Sequence, residues 1–388
     1  MHDGAKNKEL SFGLNSKLIK VKGKIVENIY KLGGMYSPAI EKICYWLEKA
    51  KTCAENKQQE KTIEKLIEFY KTGDLQVFDE YNIAWVNDTL SDIDFVNGFI
   101  EVYGDAAGRK ATWESVVNFK DKEATKRTQV LSENAQWFED NSPVDERFKK
   151  KKVKGITAKV ITVAALGGDC YPSTPIGINL PNSMWIRQHY GSKSVTLENI
   201  CYAYDKATMN SGAIQEFAFD QEQIDRYQKY GYISSNLHTD LHECLGHGSG
   251  QLMQGVKTES LKNYHSTIEE TRADLFALYY MMSPKILELK LLPDIEAAKA
   301  EYDSYIRNGL MTQLKRIELG KNLEESHMRN RQLISKWAYI HGQKDHVIEK
   351  IVKDRKIYFV IKDYNKLQKL FGELLAEIQR ITSEGDID

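Results

Sequence analysis

The 388-residue chain balances 54 basic against 55 acidic side chains, for a formal net charge of −1, and is 41% hydrophobic. Such neutrality argues against nucleic acid or an anionic membrane as the main partner. No apolar run reaches the ~20 residues of a membrane span, and MHDGAKNKEL at the start has no apolar signal core. The length suits two or three domains, or one bilobal protein with a sizeable core.

The seven prolines are few, and long helical periodicities predict a mainly α protein. In YSPAIEKICYWLEKA, Ser37 as N-cap and Pro38 in the first turn begin a helix with an Ile40, Ile43, Cys44, Leu47 stripe. Residues 58–71 and 74–88 read as two more helices. Between about 98 and 180, GFIEVYG (98–104), AKVITVAAL (158–166) and IGINL (176–180) read as strands, rich in β-branched residues and bounded by Gly or Pro. The basic run FKKKKVKG (148–155) follows the turn-like DNSPVDE and reads as a solvated hinge at a crossing between lobes. From about 196 the pattern is helical again, with KIYFVI (356–361) as a hairpin or edge strand. There is no internal repeat. Cys44, Cys53, Cys170, Cys201 and Cys244 are odd in number and show no metal or disulfide spacing, so they read as buried thiols of a reducing compartment.

The chemistry concentrates in HTDLHECLGHGSG (238–250). Histidines four apart on a helix share a face and can clamp one zinc ion. His242 and His247 are five apart, about 140° around an ideal helix. They can meet one ion only if the helix widens locally, as in a π-type bulge near Cys244–Gly246. Gly246 sits where distorted backbone is tolerated. A catalytic zinc needs a third protein ligand and an open position. STIEETRADLFALYYMM offers Glu269, Glu270 and Asp274 on a helix that Ser266 and Glu269 begin as a capping box. Glu270 and Asp274 share a face, which makes Glu270 the expected ligand and Asp274 the carboxylate holding a ligand imidazole's other N–H. Glu243, beside His242, is the expected general base. Cys244 reads as packing. His238 reads as a surface residue or one supporting the ligands from behind.

These residues resemble the dipeptidyl peptidase III family, zinc exopeptidases marked by H-E-x-x-G-H and E-E-x-R-A-[DE]; here the motifs are HECLGH (242–247) and EETRAD (269–274). GFIEVYGDAAG (98–108) is similar to the family's G-F-I-E-x-Y segment. That likeness implies that Glu101 holds the substrate's free N-terminus and that Tyr103 donates to the developing oxyanion. GINLPN (177–182) resembles the family's asparagine pair, giving Asn179 and Asn182 as peptide anchors. ESHMRNRQLI (325–334) resembles a segment whose His stabilises the transition state, giving His327. Spacing alone makes His327 an ordinary helix histidine. Ala106 and Gln251 depart from the family's usual Pro and Lys.

The resemblance implies a bacterial member, truncated at both ends, since the family's chains are longer. Its fold would be α+β, mainly α with a smaller β portion, in two lobes around a cleft. One lobe, 1–120 with 158–212, would be partial, with a small β-barrel-like sheet and the N-terminus anchor. The other, 121–157 with 213–388, would be the helical zinc lobe, and closure between them would assemble the site. The activity implied is release of dipeptides from unblocked N-termini of short peptides by a monomer with a single Zn²⁺. No nucleic acid or membrane partner is expected. The expected location is cytoplasmic, or periplasmic if a leader has been removed. The competing expectations are another zinc aminopeptidase or endopeptidase with the same ligands, a zinc- and peptide-binding module with weak or no turnover, and a purely structural zinc.

Overall fold

The computed structural model describes residues 12–387 except 103, 106–108, 154–158, 173, 257, 319, 321–322 and 324–325. The fold is mainly α with a smaller β portion. The chain divides into two compact units, Met1–Thr125 with Lys159–Cys201 and Lys126–Ala158 with Tyr202–Asp388. Among the described residues no helix is long and apolar enough to cross a membrane.

The first unit opens with a hairpin of β1 (Ser16–Val21) and β2 (Lys24–Ile29). Its two-residue turn, Lys22–Gly23, has positive φ at both positions, the turn type whose twist matches paired strands. Three helices follow: α1 (Ser37–Lys51), α2 (Lys57–Thr72) and α3 (Leu75–Asn87). The side chain of Asn56 caps α2 by accepting from Gln58 N and Gln59 N, and Gly73 closes it at φ 71°. Ser37 is not the N-cap of α1. It is the first helical residue, Tyr36 takes the cap position in the left-handed region, and Ser37 Oγ accepts from Gly33 N instead.

The sheet of this unit has five strands: β3 (Ile93–Glu101), β4 (Thr112–Lys120), β5 (Lys159–Gly168), β6 (Gly177–Leu180) and β7 (Lys193–Leu197). Their order is β3-β4-β5-β7-β6, antiparallel except for the β5–β7 pair. The sheet contributes Val96 and Val116, and α2 and α3 contribute Leu66, Phe69, Phe78, Tyr81 and Trp85, to one core. The strand expected over 98–104 begins earlier, at Ile93, and ends at Glu101 after a register slip that follows Phe99. β4 escaped the pattern because two of its three buried side chains, Glu114 and Asn118, are polar and only Val116 is apolar.

The second unit is built around α4 (Gln221–Leu241), α5 (His265–Met281), α6 (Ile295–Leu310), α7 (Ser326–His341) and α8 (Tyr364–Glu384), with a hairpin of β8 (Ile348–Lys353) and β9 (Lys356–Ile361) before α8. α5 is the central helix, touching α4, α7 and α8. Every residue from Thr271 to Leu278 is buried, as a helix surrounded on all sides requires. Aromatic rings lock this core edge to face: Phe138 on Tyr280 at 4.8 Å and Tyr302 on Phe371 at 5.1 Å.

The run at 148–155 is less solvated than its charge suggests. Lys149 is buried, its Nζ on Asp140 O and Glu146, and Lys150 Nζ donates to Gly248 O. Lys151 and Lys152 are exposed, and Lys154 and Gly155 lie outside the described residues. Because Phe371 is fully buried against Tyr302, Phe371→Ala should lower unfolding stability by about 3–5 kcal/mol, measured by urea denaturation.

Candidate metal centre

α4 does not stop at Leu241 but widens into a π turn over His242–Gly246, closed by an i→i+5 hydrogen bond from His247 N to His242 O at 3.1 Å. The turn absorbs the fifth residue and brings the two imidazoles together, ring centroids 4.6 Å apart and planes at 88°. Gly246 serves this arrangement through close approach rather than through unusual torsion. A Cβ there would meet Ala273 Cα and O of α5 at 2.8 Å, so the turn can lie against the acidic helix only with hydrogen at this position.

α5 begins at His265, one residue before the expected capping box, and no side chain caps it. Ser266 Oγ pairs with Ser326 Oγ, and Glu269 Oε1 accepts from His247 Nδ1 at 2.8 Å. Glu269 is thus committed to a ligand candidate and not to a cap. One turn on, Asp274 Oδ1 accepts from His242 Nδ1 at 2.7 Å. With each Nδ1 held by a carboxylate, Nε2 is the ring atom left to a metal, which would take the place of any proton there.

Both Nε2 atoms face Glu270. Its Oε2 lies 3.2 Å from His242 Nε2, 4.0 Å from His247 Nε2 and 3.5 Å from His327 Nε2. It is also buried without a hydrogen bond, an expensive state for a carboxylate oxygen. Burial works to raise the Glu270 carboxyl, but the neighbouring imidazoles outweigh it and hold the group below the ordinary range. Burial likewise opposes charge on His242, yet Asp274 and Glu270 outweigh it and raise its pKa to about 10. The pocket therefore favours positive charge at this spot, and two imidazoles with one carboxylate are a donor set that suits a divalent transition metal. Half-buried Glu243 stands beside them, and His242, Glu243 and His247 bring ligand atoms within 4.8 Å of one another.

His238, His242 and Asp274 also cluster within that limit, but Asp274 and both Nδ1 atoms are already hydrogen-bonded there, while His238 Nε2, 3.3 Å from Asp274 Oδ1, is buried without a hydrogen bond. His238 is buried, not on the surface, with Nδ1 on Glu301 Oε1 at 2.6 Å. Tyr305 donates to Asp274 Oδ2 at 2.7 Å. His238 resists burial through its contacts with Asp274 and Glu301 and rises to about 9. It is a support behind His242, as one of its two expected readings has it.

Sequence reasoning did not find Arg272, Glu301 or Tyr305. Arg272 pins the loop after the π turn through Gly246 O, Ser249 O, Ser249 Oγ and His247 O, and also donates to Glu269. Two signals were available for Arg272, its place in EETRAD and its three-residue spacing from Glu269. Glu301 and Tyr305 come from α6, and nothing near the motifs points to them.

The remaining predicted residues are placed as follows. His327 is exposed at the first turn of α7, near Glu270. Glu101 ends β3, half-buried, and accepts from Asn182 Nδ2 at 3.2 Å. Asn179 is exposed on β6, and its carbonyl accepts from Arg187. Tyr103 lies outside the described residues.

Two histidines, each held from behind by a carboxylate, and a glutamate form a donor set of the kind mononuclear catalytic metal sites use. The chain belongs to peptidase family M49, whose family model matches residues 8–264. It is 26% identical over 335 residues to dipeptidyl peptidase 3 of Mus musculus, covering 78% of this chain and 44% of that protein. It is also 26% identical over 360 residues to Nudix hydrolase 3 of Arabidopsis thaliana, covering 91% and 43%. The chain thus spans less than half the length of these curated relatives. The solved structure of DPP III from Caldithrix abyssi superposes with a TM-score of 0.80 at 21% identity, covering 99% of this chain and 70% of that one. The dipeptidyl-peptidase III structure from a Corallococcus strain gives 0.67 at 20%. Both neighbours share the fold. Membership of a metallopeptidase family implies a metal ion.

After dialysis against dilute zinc, the chain should retain stoichiometric metal by atomic absorption. Glu270→Gln should lose it, while Asp274→Asn should keep binding but with affinity reduced about 10–100-fold. Undiminished metal in Glu270→Gln would remove Glu270 from the ligand set.

Proposed function

We propose that this chain carries a zinc exopeptidase centre that releases dipeptides from the unblocked N-terminus of short peptides. The reading is carried by the buried, unbonded Glu270 Oε2 facing the Nε2 atoms of His242, His247 and His327. His242, His247 and Glu270 would hold the ion, with Asp274 and Glu269 fixing the two imidazoles. A bound zinc supplies Lewis acidity to the scissile carbonyl and makes an attacking water more acidic.

The remaining roles fall to side chains. Glu243 takes the proton of the attacking water and passes it to the leaving amine. Tyr103 and His327 donate hydrogen bonds to the oxyanion as it develops. Glu101, Asn179 and Asn182 take the substrate's free ammonium and first peptide group, which fixes the count from the N-terminus to the cut. This assignment draws on the likeness to dipeptidyl peptidase 3 and on the hydrogen bond that already joins Asn182 to Glu101. The strand-bearing lobe of the working enzyme corresponds, in this reading, to 1–120 with 158–212, and the helical zinc lobe to 121–157 with 213–388. Five free cysteines suit a reducing cytoplasm, where we place the chain, as a monomer.

Glu243→Ala should abolish hydrolysis of a dipeptidyl-arylamide, a loss of at least about 10²-fold, while zinc content stays that of the parent. Mass spectrometry of products from a short free peptide should show a dipeptide, and an acetylated N-terminus should block the cut. Single residues or internal cuts would point to another peptidase type. A parent chain that binds zinc without any zinc-dependent hydrolysis would leave a binding module.

A further inference from the structure

A cavity of about 320 Å³ lies wholly inside the first unit, bounded by α3, the end of β3 and the segment after β6. Phe78, Tyr81 and Trp85 of α3 make its aromatic wall, and Leu180 and Pro181 close another side. Set among them is Asp79, only 6% exposed. Its Oδ2 is buried without a hydrogen bond, and no ion pair reaches it among the described residues. Burial alone pushes its carboxyl up to about 7.

Among the described residues no charged group or hydrogen-bond donor pairs with this acid. α3 has its N-cap in Asp74, and its packing needs only the apolar side chains around position 79. A desolvated carboxylate without a partner costs stability, and that cost disappears once a cation arrives. Aromatic rings beside a carboxylate also favour organic cations over bare metal ions, because ring faces attract spread charge. The volume sits at the small end of ligand pockets, about 300–1,000 Å³, enough for one amino-acid residue. Glu101 and Asn182 line the same cavity.

We propose that Asp79 is the carboxylate that takes an organic cation from the first residue of a bound peptide in this cavity, either its α-ammonium or a basic side chain. This deepens the exopeptidase reading and rests on it for the identity of the ligand. Binding to the cavity can nonetheless be measured without hydrolysis.

The test is calorimetry on this chain and on Asp79→Asn with three probes. Norleucine amide offers only an α-ammonium, N-acetyl-arginine amide only a side-chain cation, and arginine amide both. At least one of the single-cation probes should bind the parent chain and weaken about tenfold or more in Asp79→Asn. Loss with norleucine amide assigns Asp79 to the ammonium; loss with N-acetyl-arginine amide assigns it to the side chain. Thermal melting gives the second readout. Removing an unpartnered buried charge should leave Tm unchanged or raised, whereas an acid that holds the fold together would lower it. Affinities equal within about twofold, no binding of any probe by the parent, or a lowered Tm would each overturn the proposal. A catalytically silent chain whose probe binding still depends on Asp79 would overturn the peptidase reading alone.

Discussion

The candidate centre depends on one backbone hydrogen bond of unusual span, from His247 N to His242 O across five residues. In a regular helix the two imidazoles would point apart and no arrangement of acids could bring them to one ion. The π turn converts the mismatch into convergence, and the rest of the second unit accommodates it. Gly246 lets the turn touch the backbone of α5 at Ala273. Arg272 takes up the Gly246, His247 and Ser249 carbonyls at the irregular exit, groups that a continuing helix would have paired.

The electrostatics follow the same division of labour. α5 presents Glu269, Glu270 and Asp274 to the turn, with two tasks among them. Two carboxylates bind imidazole Nδ1 protons and thereby aim the Nε2 atoms. The third keeps an oxygen free of hydrogen bonds. Behind Asp274, Tyr305 and the His238–Glu301 pair anchor the carboxylate from α6 and α4. His242 is therefore fixed through three successive contacts and cannot swing without breaking them.

The sequence carries this centre unevenly. Helix periodicity alone demanded the π turn between His242 and His247, because the angular step per residue is fixed. The helical character of the second unit and the 356–361 strand were legible for the same reason. What failed was legible only in three dimensions. Ser266 and Glu269 had the spacing of a capping box, yet both side chains turn to tertiary partners. Ser37 was displaced from its cap by a left-handed Tyr36. β4 hides its alternation behind a buried Glu and Asn, and Lys149 and Lys150 find carbonyls that no local pattern announces. Asp79 was passed over because a helix acid reads as surface until its burial is known.

The central claim is that His242, His247 and Glu270 converge on one metal ion. Anomalous diffraction at the zinc edge from zinc-soaked crystals tests it most directly. The account predicts one strong peak at about 2.0–2.2 Å from both Nε2 atoms and a Glu270 oxygen. A peak among His238, His242 and Asp274 instead, or no peak near the π turn, would contradict it.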